Sequence, residues 1–383
     1  MKLPVKSKHI MVLTGEPSGD LHAGHLVEKI KLLNPCIYFS GIGGSCLENQ
    51  GVNLFYHIEK LSAMGLTEVI MQFAQIKKAF DLFKERLNAD LPDLIIIVDY
   101  PGFNLKAAQY VKDHYQVKIL YYITPKVWAW NKSRLKKIKK YVDHAALIFP
   151  FEEKMYKKAG IPSTYVGNPL MDEYPEILSK PYLRTNSLYL EHEPITIGLL
   201  PGSRKTEIKN LLEVMIQSAV LIHKKNQKVL FIISRANSIN KQDMEKVLNQ
   251  FQKKHLFQII EGPVKDIFLK SNLVIAASGT VTLEAALCCV PTIIIYKMSP
   301  VTYRIAKLLV RVKYAGLANL IANKEVMPEL LQKDATPEKI SKKALNMLCQ
   351  LSVFEDQLQI VRKLLGNIGA SKRAAKIAVN MLI

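Results

Sequence analysis

The chain of 383 residues is poor in the groups that enzymes recruit for metal or redox chemistry. Its five cysteines, at positions 36, 46, 288, 289 and 349, form no C-x-x-C pair and no metal-ligand spacing. Such a set excludes a disulfide framework and reads as reduced thiols of a cytoplasmic protein. A Walker loop, G-x-G-x-x-G, H-E-x-x-H and G-x-S-x-G are all missing, so kinase, dehydrogenase, zincin and hydrolase readings lose support. There is no D-x-D pair to hold a metal–nucleotide complex. No run approaches the roughly 18–20 apolar residues needed to cross a bilayer. The leading MKLPVKSKHIMVLTG has too short an apolar stretch for a secretory signal. These absences imply a protein that is soluble or peripheral to a membrane. Acidic residues are also scarce: 33 Asp and Glu against 53 Lys and Arg give a net charge of +20. A surface of that sign attracts nucleic acid, anionic lipid or anionic small molecules, and charge alone does not choose among them.

What is present is an alternation of short β-branched runs and longer helical patterns. Strand candidates in the first half are 9–14, 36–41, 94–100, 118–123 and 145–150; in the second they are 195–200, 228–234, 257–262, 273–278 and 292–297. Most are continuous apolar runs, as parallel strands buried on both faces require. The helical stretches between them make βαβ units and doubly wound sheets. Prolines 169, 175, 181 and 194 crowd a stretch without clear period, which marks a linker. The expected organisation is an N-terminal Rossmann-like domain at 1–170, a linker at 171–194 and a second Rossmann-like domain at 195–359. The helical tail 360–383 could pack on either domain, and is assigned to the first.

Four turns carry candidate chemistry. GEPSGD (15–20) follows a strand and opens a helix, the usual setting for a phosphate cradle, yet Glu16 and Asp20 place two negative charges there. LPGSRKTE (200–207) suits an anion better. Gly202 and Ser203 can present amides at a helix start, and Arg204 offers a fork for phosphate oxygens; a helix cap with a surface arginine is the plainer account. ASGTVTLEAAL (277–287) supplies Ser278, Gly279 and Thr280 at another helix start, with Glu284 a turn further on, where a carboxylate can accept from a ribose diol. Ordinary capping competes with that reading. Two anion-ready turns at strand ends of one sheet favour a nucleotide site. In VDYPGFN (98–104), Asp99 leaves the core at an abrupt Pro-Gly turn, a place for a general base or simply for a turn-initiating aspartate.

Three surface stretches bear on partners. YYITPKVWAWNKSR (121–134) holds both tryptophans, Trp128 and Trp130, and KSRLKKIKK packs six Lys/Arg into nine residues. That run fits anionic lipid or nucleic acid, and equally a solvated helix face. No nucleic-acid module accompanies it, which sets that partner aside. SAMGLTEVIMQFAQIKKAFDLF (62–83) carries Met64, Val69, Met71 and Phe73 among more apolar residues than one buried stripe needs. RIAKLLVRVKY (304–314) mixes apolar and basic residues similarly. Core packing accounts for each alone; together with the charge they point to a membrane surface.

Nine blocks, in order, resemble the lipid-A-disaccharide synthase family of glycosyltransferases. They are GEPSGD (15–20), GIGG (41–44), MGLTEV (64–69), DYPGFN (99–104), YYITPKVWAW (121–130), FEEKMYKKAGIPSTYVGNPL (151–170), LPGSRKTEI (200–208), SGTVTLE (278–284) and NLIANKEVMPELLQ (319–332). The resemblance implies a GT-B fold, two Rossmann-like domains facing a central cleft. It implies inverting transfer from UDP-2,3-diacylglucosamine to 2,3-diacylglucosamine 1-phosphate, giving the β-1,6-linked disaccharide 1-phosphate and UDP, without a metal or other cofactor. By the same token Gly202, Ser203, Arg204, Ser278, Gly279, Thr280, Glu284 and Asn319 fall on the UDP side. Ser18, Gly19, Asp20 and Asn104 fall on the acceptor side, with Asp99 as first candidate for the base and Glu16 as second. Met64, Val69, Met71, Phe73, Trp128 and Trp130 become lipid or membrane contacts. The expected location is the cytoplasmic face of a bacterial inner membrane, with the anionic leaflet as partner and room for a homodimer. Two positions depart from the family's usual residues: Asn168, where histidine is common, and Asn131, where a basic residue often stands. The nearest rivals are the glycosyltransferase that completes the peptidoglycan lipid precursor, which usually carries a GGTGGH-like loop in place of GEPSGD, and a UDP-GlcNAc epimerase.

Overall fold

The computed structural model describes residues 7–61, 68–129, 133–179, 195–299, 303–304 and 312–383. The chain forms two compact units. One runs through Glu173 and regains Asn367–Ile383; the other is Tyr174–Gly366.

The first unit is built on a parallel sheet of β1 (His9–Leu13), β2 (Tyr38–Gly43), β3 (Asn53–His57), β4 (Leu94–Val98), β5 (Lys118–Tyr122), β6 (His144–Leu147) and β7 (Ser163–Tyr165), in the order β3-β2-β1-β4-β5-β6-β7. Central β1 (HIMVL) and β4 (LIIIV) are buried along their whole length, which is why neither alternates in polarity. Gly41 lets β2 lie close against β1, since a Cβ there would fall 2.0 Å from the Val12 carbonyl oxygen. The second unit repeats the design with β8 (Ile195–Leu200), β9 (Val229–Arg235), β10 (Phe257–Glu261), β11 (Leu273–Ala277), β12 (Thr292–Tyr296) and β13 (Glu329–Leu331), ordered β10-β9-β8-β11-β12-β13. In each sheet the strand order reverses beside the first strand, between β1 and β4 and between β8 and β11. Such a reversal splays the loops at the strands' carboxyl ends and opens a crevice for ligands.

The boundaries differ from the sequence reading in two places. The tail 360–383 is not one helix: Leu351–Leu364 ends in the second unit, and Ala370–Met381 belongs to the first. Gly366 and Gly369, at φ 80° and 104°, break the helix between them. The Asp172 carboxylate then caps the last helix, accepting from the amides of Gly369 (2.5 Å) and Ser371 (3.0 Å). Arg373 fastens it by donating to the Val166 and Asn367 carbonyls. The expected linker 171–194 opens with helical residues, Leu170–Glu173 and Pro175–Ser179; its remainder, 180–194, lies outside the described residues. Among the described residues no helix is long and apolar enough to cross a membrane.

Candidate active site at the two sheet switch points

The crevice of the first unit is framed by the turns after β1 and β4. Gly15 leaves β1 and packs on the ring of Tyr100, where a Cβ would fall 2.1 Å from Cδ1. Glu16 and Ser18 are exposed at the start of the helix Pro17–Leu33, while Gly19 is buried against the Thr14 hydroxyl. After β4, Asp99 and Tyr100 both take left-handed backbone conformations, φ 47° and 42°. Two successive non-glycine residues in that region cost on the order of 1–3 kcal/mol each and persist only where their surroundings enforce them. Enforcement comes from below. Buried Asn104 donates from Nδ2 to the carbonyls of Asp99 (2.8 Å) and Val98 (3.1 Å), and Tyr121 Oη donates to the Asp99 carbonyl (3.0 Å).

The strained turn holds the Asp99 carboxylate half-buried. Burial raises its pKa above the ordinary carboxylate value and the charge of Glu16 adds to the rise, while Lys126 and the Tyr100 backbone partly offset it. A carboxylate made more basic by desolvation, and still reachable, has the properties of a general base. Lys126 and Tyr100 were not singled out from sequence. Both sit inside blocks that were; Tyr100 directly follows Asp99, whereas the nearness of Lys126 to Asp99 is tertiary.

Two acceptor-side assignments change. Asp20 does not face the crevice: it is buried, and its carboxylate accepts from the amides of Gly44 (2.7 Å) and Cys46 (2.8 Å). It caps the short helix Ser45–Asn49, which explains GIGG as well, because a Cβ on Gly44 would lie 2.9 Å from the Asp20 carboxylate. Asn104 is fully buried and positions Asp99 rather than meeting a ligand.

In the second unit, Gly202 follows β8 with φ 111°, and a Cβ there would strike Glu207 at 2.2 Å. The Glu207 carboxylate accepts from the amides of Ser203 (3.0 Å) and Arg204 (3.2 Å), so it already fills the nest expected to cradle phosphate. Glu207 lies three residues after the N-cap Arg204, and a glutamate at that third helical position is ordinary capping whatever the turn binds. What remains available is the Arg204 guanidinium, 73% exposed and 3.5 Å from Glu207. The turn after β11 is open. Gly279 and Thr280 are exposed at the start of the helix Thr280–Leu287, and a Cβ on Gly279 would meet nothing within 4 Å. Glu284, one turn on, accepts from Tyr174 Oη at 2.6 Å; burial raises its pKa and that hydrogen bond opposes the rise.

Asn319 is a third correction. Its Nδ2 donates to the Met327 carbonyl and to Glu329, and its Oδ1 accepts from the amides of Val326 and Met327, all at 2.7–2.8 Å. A fully buried amide with these four bonds has nothing left for a nucleotide. It acts through Glu329, which also accepts from the Ala315 and Gly316 amides and so sets the loop whose Ala315 carbonyl receives the Ser278 hydroxyl.

Trp128 is the fourth. Its indole donates to the buried Glu152 carboxyl at 3.0 Å and stands edge-on to Phe149 and Phe151. Trp130 and Met64 lie outside the described residues, as do the side chains of Val69, Met71 and Phe73. The basic run forms the helix Arg134–Tyr141, with Ile138 and Tyr141 buried and Lys136, Lys137, Lys139 and Lys140 exposed, a solvated face. Asn168 is buried, accepting from the Leu170 amide at 3.1 Å and donating to the Ile148 carbonyl at 3.4 Å.

Comparison with known proteins adds the following. The model of the family described as lipid-A-disaccharide synthetase matches residues 10–380. A lipid-A-disaccharide synthase of Coxiella burnetii is 36% identical over 381 residues, covering 99% of this chain and 100% of that protein. Among solved structures, a putative UDP-N-acetylglucosamine 2-epimerase from Listeria monocytogenes superposes with a TM-score of 0.63 at 14% identity, over 95% of this chain and 93% of that one. Acinetobacter baumannii MurG does so with a TM-score of 0.60 at 15% identity, over 97% and 99%. At those identities the structures share the fold, GT-B.

Proposed function

The chain belongs to the lipid-A-disaccharide synthetase family, whose reaction is formation of the lipid A disaccharide, and we propose that it proceeds by direct, metal-independent inversion with Asp99 as the base. The donor is UDP-2,3-diacylglucosamine and the acceptor 2,3-diacylglucosamine 1-phosphate. Asp99 takes the proton of the acceptor's 6-hydroxyl as that oxygen attacks the anomeric carbon of the donor. The bond from that carbon to the UDP oxygen breaks, and the products are the β-1,6-linked disaccharide 1-phosphate and UDP. Negative charge grows on the leaving diphosphate, where Arg204 and the open amides at Gly279 and Thr280 can stabilise it. Glu284, steadied by Tyr174, is placed to accept from a ribose hydroxyl.

The observation that carries this reading is the Asp99 turn: a strained, half-buried carboxylate of raised basicity at the switch point of its sheet. Since both substrates are acylated, the protein works at a membrane surface. Its charge of +20 favours an anionic leaflet. The test is UDP release by the purified chain with both substrates and no added metal. Release that requires the acceptor and yields disaccharide 1-phosphate supports the proposal. Release indifferent to acceptor, or absolute dependence on a divalent cation, overturns it.

A further inference from the structure

A cavity of about 460 Å³ lies beside the Asp99 turn, lined by Ile76, Phe80, Tyr100, Gly102 and Phe103, with Lys77 and Lys106 also on its wall. We propose that this cavity receives an acyl chain of the acceptor lipid, and that the two lysines engage the same lipid's phosphate. The inference rests on the proposed function above and adds to it a site for the acceptor.

Its chemistry is that of an amphiphile. Ile76, Phe80, Tyr100 and Phe103 offer a sugar or a nucleotide few polar contacts, whereas a hydrocarbon chain gains from every methylene it removes from water. The volume lies within the range of small-ligand pockets. The walls are firm: Phe80 stands edge-on to Phe103 at 5.7 Å, and Tyr100 lies 6.3 Å from Phe103, so a chain meets a preformed surface. Lys77 and Lys106 are exposed cations at an otherwise apolar cavity, the pairing that an anionic lipid matches and a neutral one does not.

Position selects the acceptor over the donor. Tyr100 lines the cavity, follows Asp99 directly and packs on Gly15 of the other turn of the crevice. The helix Pro101–His114 supplies Gly102, Phe103 and Lys106 and begins two residues after Asp99. A chain held there keeps its sugar next to the carboxylate that takes the acceptor's proton.

Gly102 provides the test, because a Cβ there would meet nothing within 4 Å. Gly102→Leu therefore adds bulk at the cavity wall from a Cβ that itself clashes with nothing. The readout is kcat/KM for 2,3-diacylglucosamine 1-phosphate with long acyl chains, divided by kcat/KM for the diacetyl analogue. At about fourfold per buried methylene, the wild-type ratio exceeds roughly a hundred. In Gly102→Leu it falls at least about tenfold, whereas the matching ratio for long- and short-chain donors does not move. Lys106→Gln lowers, by about tenfold, the preference for the 1-phosphate over the free 1-hydroxyl acceptor. A wild-type ratio near one overturns the proposal, as does a Gly102→Leu ratio equal to wild type or a loss that follows donor chain length. Disaccharide made without chain-length discrimination sinks the cavity assignment alone; no disaccharide from any acceptor sinks the proposed function itself.

Discussion

Glu152 presents a sharp thermodynamic test of the first unit. It is fully buried, yet its carboxyl ties Trp128 to the start of the helix Pro150–Ala159, accepting from Trp128 Nε1 (3.0 Å) and from the Phe149 amide (3.2 Å). Burial pushes its pKa from 4.5 up to about 8, against the opposing hydrogen bonds and the charge of Lys126. The folded protein therefore keeps this proton at neutral pH, while the unfolded chain releases it above about pH 4.5. Since the unfolded state then binds fewer protons, stability falls as pH rises, by about 1.4 kcal/mol per unit, until the folded group ionises near pH 8. Across the whole window that is on the order of 5 kcal/mol; between pH 5.5 and 8 it is about 3 kcal/mol. Glu152→Gln cannot ionise. It loses one hydrogen bond and starts less stable than wild type at pH 5.5, but the gap closes or reverses by pH 8.5. Urea titrations followed by tryptophan fluorescence report on this unit, to which both tryptophans belong. A wild-type-minus-variant difference that stays constant within about 0.5 kcal/mol from pH 5.5 to 8.5 would refute the assignment of a buried, protonated Glu152.

Three further outcomes are expected. Arg204→Ala removes a charge-assisted contact and should weaken UDP binding by about 1.5–3 kcal/mol, roughly ten- to a hundredfold, in calorimetry; unchanged affinity would take Arg204 out of the donor site. Asn319→Ala strips the Val326 and Met327 amides of their acceptor and should cost about 1–3 kcal/mol for each buried group, read as a lower denaturation midpoint. A midpoint equal to wild type would show that Asn319 is not structural. Vesicles of anionic phospholipid should bind the protein at low salt and release it at high salt, whereas retention at high salt would mean that apolar insertion dominates.

The interior of both sheets was legible because strands buried on both faces leave unbroken apolar runs, such as LIIIV and LVIAA. Three edge strands were not. β3 (NLFYH), β7 (STY) and β13 (ELL) are short and mixed in polarity, since an edge packs less and exposes more. Of the candidate site, the turns themselves were legible from Gly, Ser and Pro at strand ends. What a polar side chain does within a turn was not. Asp20 and Asn319 look like ligands in sequence, but their side chains are taken up by backbone groups that the fold brings to them, and Asn104 is fully buried with its Nδ2 donating to the Asp99 and Val98 carbonyls. The same blindness hid Glu329 and Tyr174, whose partners become visible only when the chain is folded.

The central claim is that Asp99 removes the acceptor's proton, and turnover of Asp99→Asn at saturating donor and acceptor tests it most directly. Asparagine preserves the shape of the turn and leaves Asn104 and Tyr121 bonded to the same carbonyl. The account predicts a fall in kcat of about 10²–10⁴-fold with UDP affinity unchanged. It also predicts a wild-type rate that declines on acidification at a pH above that of an ordinary aspartate, the direction in which burial moves this group. Near-normal turnover by Asp99→Asn would contradict it.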